Sequence, residues 1–216
     1  AMAVLDPIQL TISNWDALMG EGTLDDCHAP VHPHHAEHGQ RHFKFGKNLW
    51  IERTDFEEVP SKGFFRLFPG NKVRLKYGHI IECTGANKDA NGQVIEVLAQ
   101  LIPDTKSGTP GSDSVKVKGV ITWVSQADAI KAEVRLYDRL FTEANPDAGG
   151  KDFLASLNPD SLKVIEAYVE PSLANSKPDE KFQFERHGYF VADRADHQGT
   201  KPVFNRSTGL KGTWSK

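Results

Sequence analysis

The sequence predicts an all-β protein whose strands form barrels rather than an open sheet. Three observations lead to this prediction. Apolar and polar residues alternate with the two-residue period of a β-strand in most of the patterned segments of the 216-residue chain. Gly, Pro and Asn cluster between the alternating runs, as they do at turns. Helical periodicity is scarce, and many short strands separated by turns are typical of barrels and sandwiches.

The strand pattern occurs in nine runs, each bounded by turn residues. They lie at residues 7–12, 43–53, 72–83, 94–101, 115–124, 133–137, 162–169, 182–192 and 202–205. Asn91-Gly92 predicts a hairpin between the runs that flank it. One short helix is predicted at residues 151–157, closed by Asn158-Pro159, and a turn of helix is predicted around residues 126–130. Residues 103–114 are polar and rich in Gly, Pro and Ser, so they could join two lobes.

The bulk composition limits the partners and the compartment. The net charge is near −3, so a nucleic acid would have to be held by a local basic patch. The two cysteines are too few for a disulfide framework, and neither a signal peptide nor an apolar run of membrane length is present, so the cytoplasm is expected. The opening AMAVLDP indicates a fragment of a longer protein, or a short vector-derived extension before Val4.

Residues 27–43, CHAPVHPHHAEHGQRHF, hold six of the nine histidines and one cysteine. A zinc site needs ligands with paired spacing on structured turns. Here Cys27 and His28 are adjacent, His34 and His35 are adjacent, and prolines stiffen the run. A His-rich polar tract permits metal binding without requiring it, so no metal ligand is predicted. No nucleophile, base and orienter can be assigned from spacing either, so no catalytic residue is predicted.

Residues 61–81 form a basic segment with interleaved aromatic residues. The segment holds five basic side chains, four aromatic side chains and no acid: Lys62, Phe64, Phe65, Arg66, Phe68, Lys72, Arg74, Lys76 and Tyr77. Strand alternation places Arg74 and Lys76 on one face. Cations and planar groups on a strand face are what proteins use to bind single-stranded RNA. A solvated polar face of an ordinary barrel is the alternative.

Residues 181–190, KFQFERHGYF, are a second candidate for base recognition. Gln183 and Arg186 can each form paired hydrogen bonds to a base edge. Strict alternation places them on opposite faces of the strand. They can therefore share one ligand only if the strand bulges or ends near Glu185. A plain strand with no role in recognition is the alternative.

Several long motifs resemble the C-terminal anticodon-binding region of the glutaminyl-tRNA synthetase family. They are VKGVITWVSQADAIKAEVRLYDRLF (residues 117–141), DFLASLNPDSL (152–162), YVEPSL (168–173), FQFERHGYF (182–190) and KPVFNRSTGLKGTW (201–214). The opening AMAVLDPIQL is similar to the start of that region in the family. The resemblance therefore extends over essentially the whole chain.

The resemblance implies two antiparallel β-barrels of the ribosomal protein L25-like type, with one or two short helices. In the family the chain begins in the barrel nearer the catalytic module, builds the distal barrel and returns. Mapped onto this sequence, residues 1–13 and 120–216 would form the proximal barrel. Residues 14–119 would form the distal barrel.

The resemblance also implies how activity is divided. The family's catalytic module, a class I Rossmann-type domain that uses ATP and Mg²⁺, lies upstream and is absent from this sequence. The fragment is therefore expected to bind the anticodon loop of glutamine tRNA without charging it, next to the catalytic domain of the same polypeptide. No cofactor is expected in the fragment, and neither a membrane nor DNA is an expected partner.

Site residues carry over from the family position by position. For the middle anticodon base, a uridine, the family's Gln and Arg stand here as Gln183 and Arg186. For the first base, the two basic residues stand as Arg74 and Lys76, although the second is typically Arg and Lys lacks the bidentate fork. For the third base, a guanosine, the Arg stands as Arg66.

Other positions depart from the family pattern and imply weaker contacts. Phe65 replaces a Lys and Gly63 replaces a Gln, and Lys62 is positioned to compensate. His34 and Tyr77 each replace an Asn, and both retain groups that can hydrogen-bond or stack.

Two other functions are compatible with the sequence. The first is the anticodon-binding domain of a eukaryotic or archaeal-type glutamyl-tRNA synthetase, although FQFERHGYF favours the glutaminyl member and comparative tRNA binding would distinguish them. The second is a His-rich metal-binding module, which tight zinc uptake abolished by His34→Ala and His35→Ala would support.

Overall fold

The computed structural model describes residues 1–210 and consists mainly of β-strands. The strands are β1 (Ala3–Val4), β2 (Pro7–Ile12), β3 (Asp25–Pro30), β4 (Gln40–Phe45), β5 (Asn48–Glu52), β6 (Lys72–Leu75), β7 (Ile80–Lys88), β8 (Val94–Leu101), β9 (Gly119–Ile121), β10 (Trp123–Ser125), β11 (Ile130–Tyr137), β12 (Leu162–Val169), β13 (Lys181–Phe184), β14 (Gly188–Ala192) and β15 (Val203–Thr208). The all-β prediction is confirmed.

Helical segments are short. One α-helix, α1, covers Trp15–Met19, and 3-10 turns lie at Ala36–His38, Arg53–Asp55, Ala148–Gly150, Phe153–Ser156 and Pro171–Asn175. No helix in the described part of the chain is both long and apolar enough to cross a membrane. The last four residues of the motif at 201–214 lie outside the described residues.

Several strand predictions are confirmed, and others combine two strands in one run. The runs at residues 94–101 and 162–169 coincide with β8 and β12. The runs at 43–53, 72–83, 115–124 and 182–192 each contain two strands separated by a short connection. The Asn91-Gly92 hairpin is confirmed, because β7 and β8 pair antiparallel and Gly92 adopts φ 78°. Where a turn of helix is expected at residues 126–130, the Ala129 N–H donates to the Ser125 carbonyl at 2.9 Å in a single turn, and β11 begins at Ile130.

The chain divides into two compact units. Unit 1 comprises Ala1–Lys131 and Ala167–Asn175, and unit 2 comprises Ala132–Glu166 and the chain from Ser176 onward. β11 and β12 each contribute residues to both units, so the chain passes from one unit to the other within strands. The proximal and distal barrel boundaries expected from the family resemblance stay a prediction.

Unit 1 is built on a seven-stranded sheet whose two edges are joined by the chain itself. The strand order is β10-β5-β2-β8-β7-β6-β9. Its edge strands β9 and β10 are separated by Thr122 alone, so the sheet must curve until its first and last strands are neighbours. Closure of this kind leaves no long unpaired edge. The pairs β2–β8 and β6–β9 are parallel, whereas β10–β5, β5–β2, β8–β7 and β7–β6 are antiparallel.

The core of unit 1 is formed by inward-facing strand residues and an aromatic cluster. In β2 the residues Ile8, Leu10 and Ile12 are buried at alternate positions, as a two-residue period requires. The Trp123 and Phe45 rings lie 4.8 Å apart, edge to face. The buried indole nitrogen of Trp123 donates to the Lys76 carbonyl oxygen at 2.8 Å, so its polar atom is satisfied.

Unit 2 contains the strands β15, β14 and β13 and the larger parts of β11 and β12, and the sheet order is β12-β11-β15-β14-β13. β11 pairs parallel with β15, and β15–β14 and β14–β13 are antiparallel. Its core is aromatic: the Phe184 ring stacks on Phe190 at 4.3 Å and meets the Phe204 ring edge-on at 5.3 Å. This core supports the β13–β14 hairpin from one side, so the alternate residues of that hairpin are left exposed.

Asp193 caps a turn in unit 2 and makes its stability sensitive to acid. One carboxylate oxygen accepts the N–H groups of Ala195 and Asp196 at 2.9 and 2.8 Å, and the other accepts from Asn205 Nδ2 at 2.7 Å. The Asn205 hydrogen bond, followed by these backbone bonds, lowers the pKa of Asp193 from 3.8 to about 2. The carboxylate therefore stabilises the fold above about pH 4, and this contribution is lost as the pH falls towards 2.

Substituting Asp193→Asn is expected to lower the free energy of unfolding at pH 5. The difference from the unsubstituted chain should shrink as the pH falls from about 4 to about 2, because the native carboxylate is protonated over that range. Urea denaturation of both proteins across pH 2–5 measures the difference. A difference that stays constant over this range would contradict the assignment.

Candidate nucleic-acid interface

The basic segment 61–81 forms a loop, strand β6 and the turn into β7, all within unit 1. Val73 and Leu75 are buried, whereas Arg74 and Lys76 are partly exposed, as strand alternation requires. The turn is held by hydrogen bonds from the Gly78 N–H to the Leu75 carbonyl and from the Leu75 N–H to the His79 carbonyl. Tyr77 lies in this turn with φ 64°, a left-handed conformation that is uncommon for a residue with a side chain.

Arg74 is extensively hydrogen-bonded. Its guanidinium donates to the carbonyl oxygens of Thr105 and Ser112, both at 2.6 Å, to the Gly78 carbonyl at 3.1 Å and to Ser107 Oγ at 3.2 Å. These acceptors belong to the polar segment 103–114 and to the β6–β7 turn. Arg74 therefore ties that segment to the sheet, and only 14% of its side chain is exposed.

Substituting Arg74→Ala is expected to lower the free energy of unfolding by about 1.5 to 3 kcal/mol, because hydrogen bonds to a charged group are removed and carbonyls are left unpaired. Urea denaturation measures this change. The exposed Lys62→Ala is the control and should change stability by less than about 0.5 kcal/mol. Equal stability of the Arg74→Ala and unsubstituted chains would mean that the guanidinium does not hold the segment.

Lys76 and Tyr77 form a cationic and aromatic group beside Arg74. The Lys76 Nζ lies 5.3 Å from the centroid of the Tyr77 ring. The guanidinium carbon of Arg41, on β4, also lies 5.3 Å from that centroid. Two cations thus lie near one aromatic ring, and cation–π attraction restricts its movement.

Arg66 is anchored by a buried carboxylate. Its Nε lies 3.1 Å from Asp55 Oδ1, and the Asp55 side chain is 0% exposed. Its Nη2 donates to the Thr54 carbonyl at 3.1 Å, and its guanidinium carbon lies 4.8 Å from the Phe64 ring centroid. The side chain remains 39% exposed, so Arg66 still reaches solvent although its Nε is beside Asp55. Nearby, Lys62 and Phe65 are exposed.

The histidine run is only partly an irregular loop. Cys27 lies on β3, which pairs with β4, and is buried in the core. Burial raises the pKa of the Cys27 thiol to about 12, so the thiol stays protonated and is a poor metal ligand. Beyond Pro30, the rings of His32 and His35 lie 4.5 Å apart, and those of His35 and His38 lie 5.3 Å apart.

His34 is exposed in this loop, 6.1 Å from the His32 ring, and its backbone N–H donates to His32 Nδ1 at 3.2 Å. Desolvation and the neighbouring histidines lower the pKa of His32. Among residues 1–210, no group of three or more His, Cys, Asp or Glu side chains is arranged to hold a metal ion. His34 and His35 therefore present exposed polar rings on this loop.

In unit 2 the β13–β14 hairpin carries the other candidate pair. β13 ends at Phe184, and the chain turns through Glu185, Arg186 and His187 before β14 begins at Gly188. Arg186 adopts φ 70°, and the His187 N–H donates to the Phe184 carbonyl at 2.9 Å. β13 thus ends just before Glu185, which is the condition under which Gln183 and Arg186 can bind one ligand together. Both side chains are exposed on this hairpin.

The structure adds residues that the sequence did not single out. Tyr189 is directly opposite Gln183 on the paired strand and is 48% exposed. Lys116 and Lys118 lie beside Phe65, although they are about 50 residues away in sequence. The alternating run VKVKG indicates a strand with Lys116 and Lys118 on one face, but the strand that it pairs with could not be known from the sequence alone.

Comparison with known proteins shows one family along the chain. Two family models match the chain, one over residues 1–102 and one over residues 120–193, and both describe "tRNA synthetases class I (E and Q), anti-codon binding domain". The chain is 64% identical to the glutamine–tRNA ligases of Cupriavidus necator and Cupriavidus taiwanensis, over 100% of its length. It is 53% identical to that of Bordetella pertussis over 99% of its length. In each case it spans 36% of the relative.

Proposed function

Because the chain belongs to the anticodon-binding domains of the class I tRNA synthetases for glutamate and glutamine, we propose that it binds the anticodon loop of glutamine tRNA. The observation that carries the proposal is the match to this family over both segments, 1–102 and 120–193. The glutamine assignment follows the names of the similar ligases. Exposed basic and aromatic side chains in each unit support it.

Anticodon bases can be distinguished only if they are unstacked and contacted individually. A side chain that is held in place loses less entropy on binding than a free one. Arg66, held by Asp55, and Tyr77, whose ring lies near Lys76 and Arg41, fit this requirement in unit 1.

Two bases are assigned to paired residues. Gln183 and Arg186 contact the middle uridine. The exposure of both side chains and the end of β13 at Phe184 support this assignment. Arg74 and Lys76 serve the first base, with Lys76 the more accessible because the Arg74 guanidinium already has four acceptors.

Arg66 serves the third base, a guanosine, because a partly exposed guanidinium can donate two hydrogen bonds to O6 and N7 of guanine. Lys62, Phe65, Tyr77 and His34 are assigned weaker contacts. Lys62 and His34 are exposed polar groups, and Phe65 and Tyr77 supply aromatic faces.

The whole protein is proposed to be a glutamine–tRNA ligase that uses ATP and Mg²⁺ to attach glutamine to its tRNA. This chain spans 36% of the ligases that it resembles. Catalysis and ATP binding are assigned to the rest of that polypeptide, and no residue of this chain is given a catalytic role. We place the activity in the cytoplasm, since protein biosynthesis there consumes the charged tRNA.

Competition between RNA fragments tests the proposal. The chain is titrated with labelled glutamine tRNA, and two unlabelled hairpins of that tRNA, the anticodon arm and the acceptor arm, are added as competitors. We expect the anticodon hairpin to displace the tRNA and the acceptor hairpin to have little effect. Equal displacement by both hairpins would contradict anticodon binding. Preferential binding of glutamate tRNA would instead favour the glutamyl member of the family.

A further inference from the structure

A cavity of about 400 Å³ in unit 1 shares Phe65 with the proposed anticodon contacts, whereas its other lining residues have no part in them. Its lining includes Phe65, Lys72, Lys116 and Lys118 and contains no acidic residue. This volume is within the range of about 300 to 1,000 Å³ that is usual for ligand sites. Lys116 and Lys118 are not part of the basic segment 61–81.

The strand pairing of unit 1 assembles these cations. β6 and β9 pair in parallel with Val73 opposite Gly119. Lys72 and Lys118 each precede one of these partners, so they are neighbours across the pair. Like charges at neighbouring positions of paired strands destabilise a sheet. Lys72 and Lys118 are both exposed, so burial of their side chains does not offset this repulsion.

The lysines differ in how their charge is neutralised. The Lys72 Nζ lies 3.7 Å from Glu82 Oε2. For Lys116 and Lys118, no carboxylate oxygen within residues 1–210 lies within 4 Å of the ammonium group. Two unneutralised ammonium groups and a third beside them are suited to an anion such as a phosphate.

Phe65 presents an aromatic face to the same cavity from a rigid backbone. Its side chain is 51% exposed, and the Lys118 Nζ lies 4.8 Å from the ring centroid. The Asn71 amide donates to the carbonyl oxygens of Phe65 and Arg66 at 3.3 and 2.6 Å. Gly119 runs so close that a Cβ there would lie 2.3 Å from the Phe65 carbonyl oxygen, so only glycine fits.

We propose that this cavity binds one nucleotide of single-stranded RNA, with its base stacked on Phe65 and its phosphate held by Lys72, Lys116 and Lys118. We call it the Phe65 cleft. It deepens the proposed function, on which it rests, by adding a stacking and phosphate site that does not distinguish one base from another. Aromatic stacking is tolerant of base identity because every base has a π-face.

The first test replaces the ring. Binding of the chain is measured to glutamine tRNA and to a short unstructured RNA oligonucleotide that contains the fluorescent base 2-aminopurine. Phe65→Ala and Phe65→Leu should weaken binding of both RNAs by roughly 5- to 150-fold and reduce the quenching of 2-aminopurine. Phe65→Tyr keeps the ring and should restore both readouts. Because Phe65 is exposed, all three variants should remain folded, and a thermal melt checks this.

The second test removes the charge. The double variant Lys116→Gln/Lys118→Gln should lower the slope of log K against log salt concentration by about 0.7 for each phosphate of single-stranded RNA that is no longer neutralised. Lys163→Gln is the matched control and should leave the slope unchanged, because Lys163 is an exposed lysine of unit 2 with no carboxylate partner among residues 1–210.

The outcomes separate this proposal from the proposed function. If the oligonucleotide binds and depends on the Phe65 ring while glutamine tRNA is not preferred, the cleft stands and anticodon recognition fails. If tRNA binds but the Phe65 and lysine variants behave as the unsubstituted chain does, nucleotide binding in the cleft is contradicted and anticodon recognition is not. If polyglutamate competes as well as RNA and the ring has no effect, the surface is a simple anion patch and the cleft is overturned.

Discussion

Substituting Glu170→Ala is expected to lower the free energy of unfolding by about 3 to 5 kcal/mol, the largest effect on stability that we predict. The Glu170 side chain is 1% exposed and lies 2.7 Å from Arg41 Nε, which is itself 8% exposed. Its oxygens also accept from the Met2 N–H at 2.7 Å and from Ser172 Oγ at 2.6 Å. Removing the carboxylate leaves the Arg41 charge buried and two donors without their acceptor.

Urea denaturation of three variants checks this prediction. Ser172→Ala removes one hydrogen bond of the same carboxylate and should cost about 1 kcal/mol. The double variant Arg41→Met/Glu170→Met should be more stable than Glu170→Ala, because no unpaired charge is left inside. If Glu170→Ala costs no more than Ser172→Ala, the carboxylate does not hold unit 1 together in the way described.

Substituting Arg186→Ala is expected to reduce discrimination at the middle anticodon base by about 5- to 150-fold, the value of one bidentate contact of about 1 to 3 kcal/mol. Gln183→Ala should have a similar effect. Both side chains are exposed on the β13–β14 hairpin, so stability should change little. The measurement is the ratio of Kd values for anticodon hairpins with and without the middle uridine, at fixed salt.

Two matched variants separate base recognition from charge. Arg186→Lys keeps the positive charge but removes the planar fork, so discrimination should fall while the salt dependence of binding stays the same. Arg194→Ala removes an arginine that is 83% exposed and paired with Asp179, and discrimination should be unaffected. An Arg186→Lys variant that discriminates as well as the unsubstituted chain would assign Arg186 a purely electrostatic role.

Strand periodicity predicted much of the fold because it reports directly on which residues are buried. The pattern located β8 and β12 to the residue. It missed β3, whose inward-facing residues, Cys27 and Ala29, are small and lie among histidines and prolines, so the apolar signal is weak. It also missed α1, since five residues are too few to show a helical period.

The helix expected at residues 151–157 is instead a 3-10 turn at Phe153–Ser156. Asp152 caps its first turn, with its carboxylate accepting from the Leu154 N–H at 3.0 Å. The chain leaves the helical conformation at Leu157, where ψ is 135°. So short a segment cannot offset the cost of nucleating an α-helix, although its end signals are those of a helix.

The sequence predicted which types of residue form the candidate site but not how those residues are arranged in space. The concentration of cations and aromatic residues in segment 61–81 indicated a binding surface from the sequence. The hydrogen bonds of Arg74 to residues 105–112 and the approach of Lys118 to Phe65 depend on long-range pairing, which local periodicity does not report. The motif YVEPSL was similarly visible, but the burial of Glu170 beside Arg41 was not.

The preference for the middle anticodon base tests the central claim most directly. The affinity of the chain is measured for the anticodon hairpin of glutamine tRNA and for the same hairpin with the middle uridine replaced by each other base. We expect every replacement to weaken binding by about 5-fold or more, since each leaves polar groups of the site unpaired. Equal affinity for all four hairpins would contradict the account of this chain as an anticodon-binding domain that distinguishes its bases.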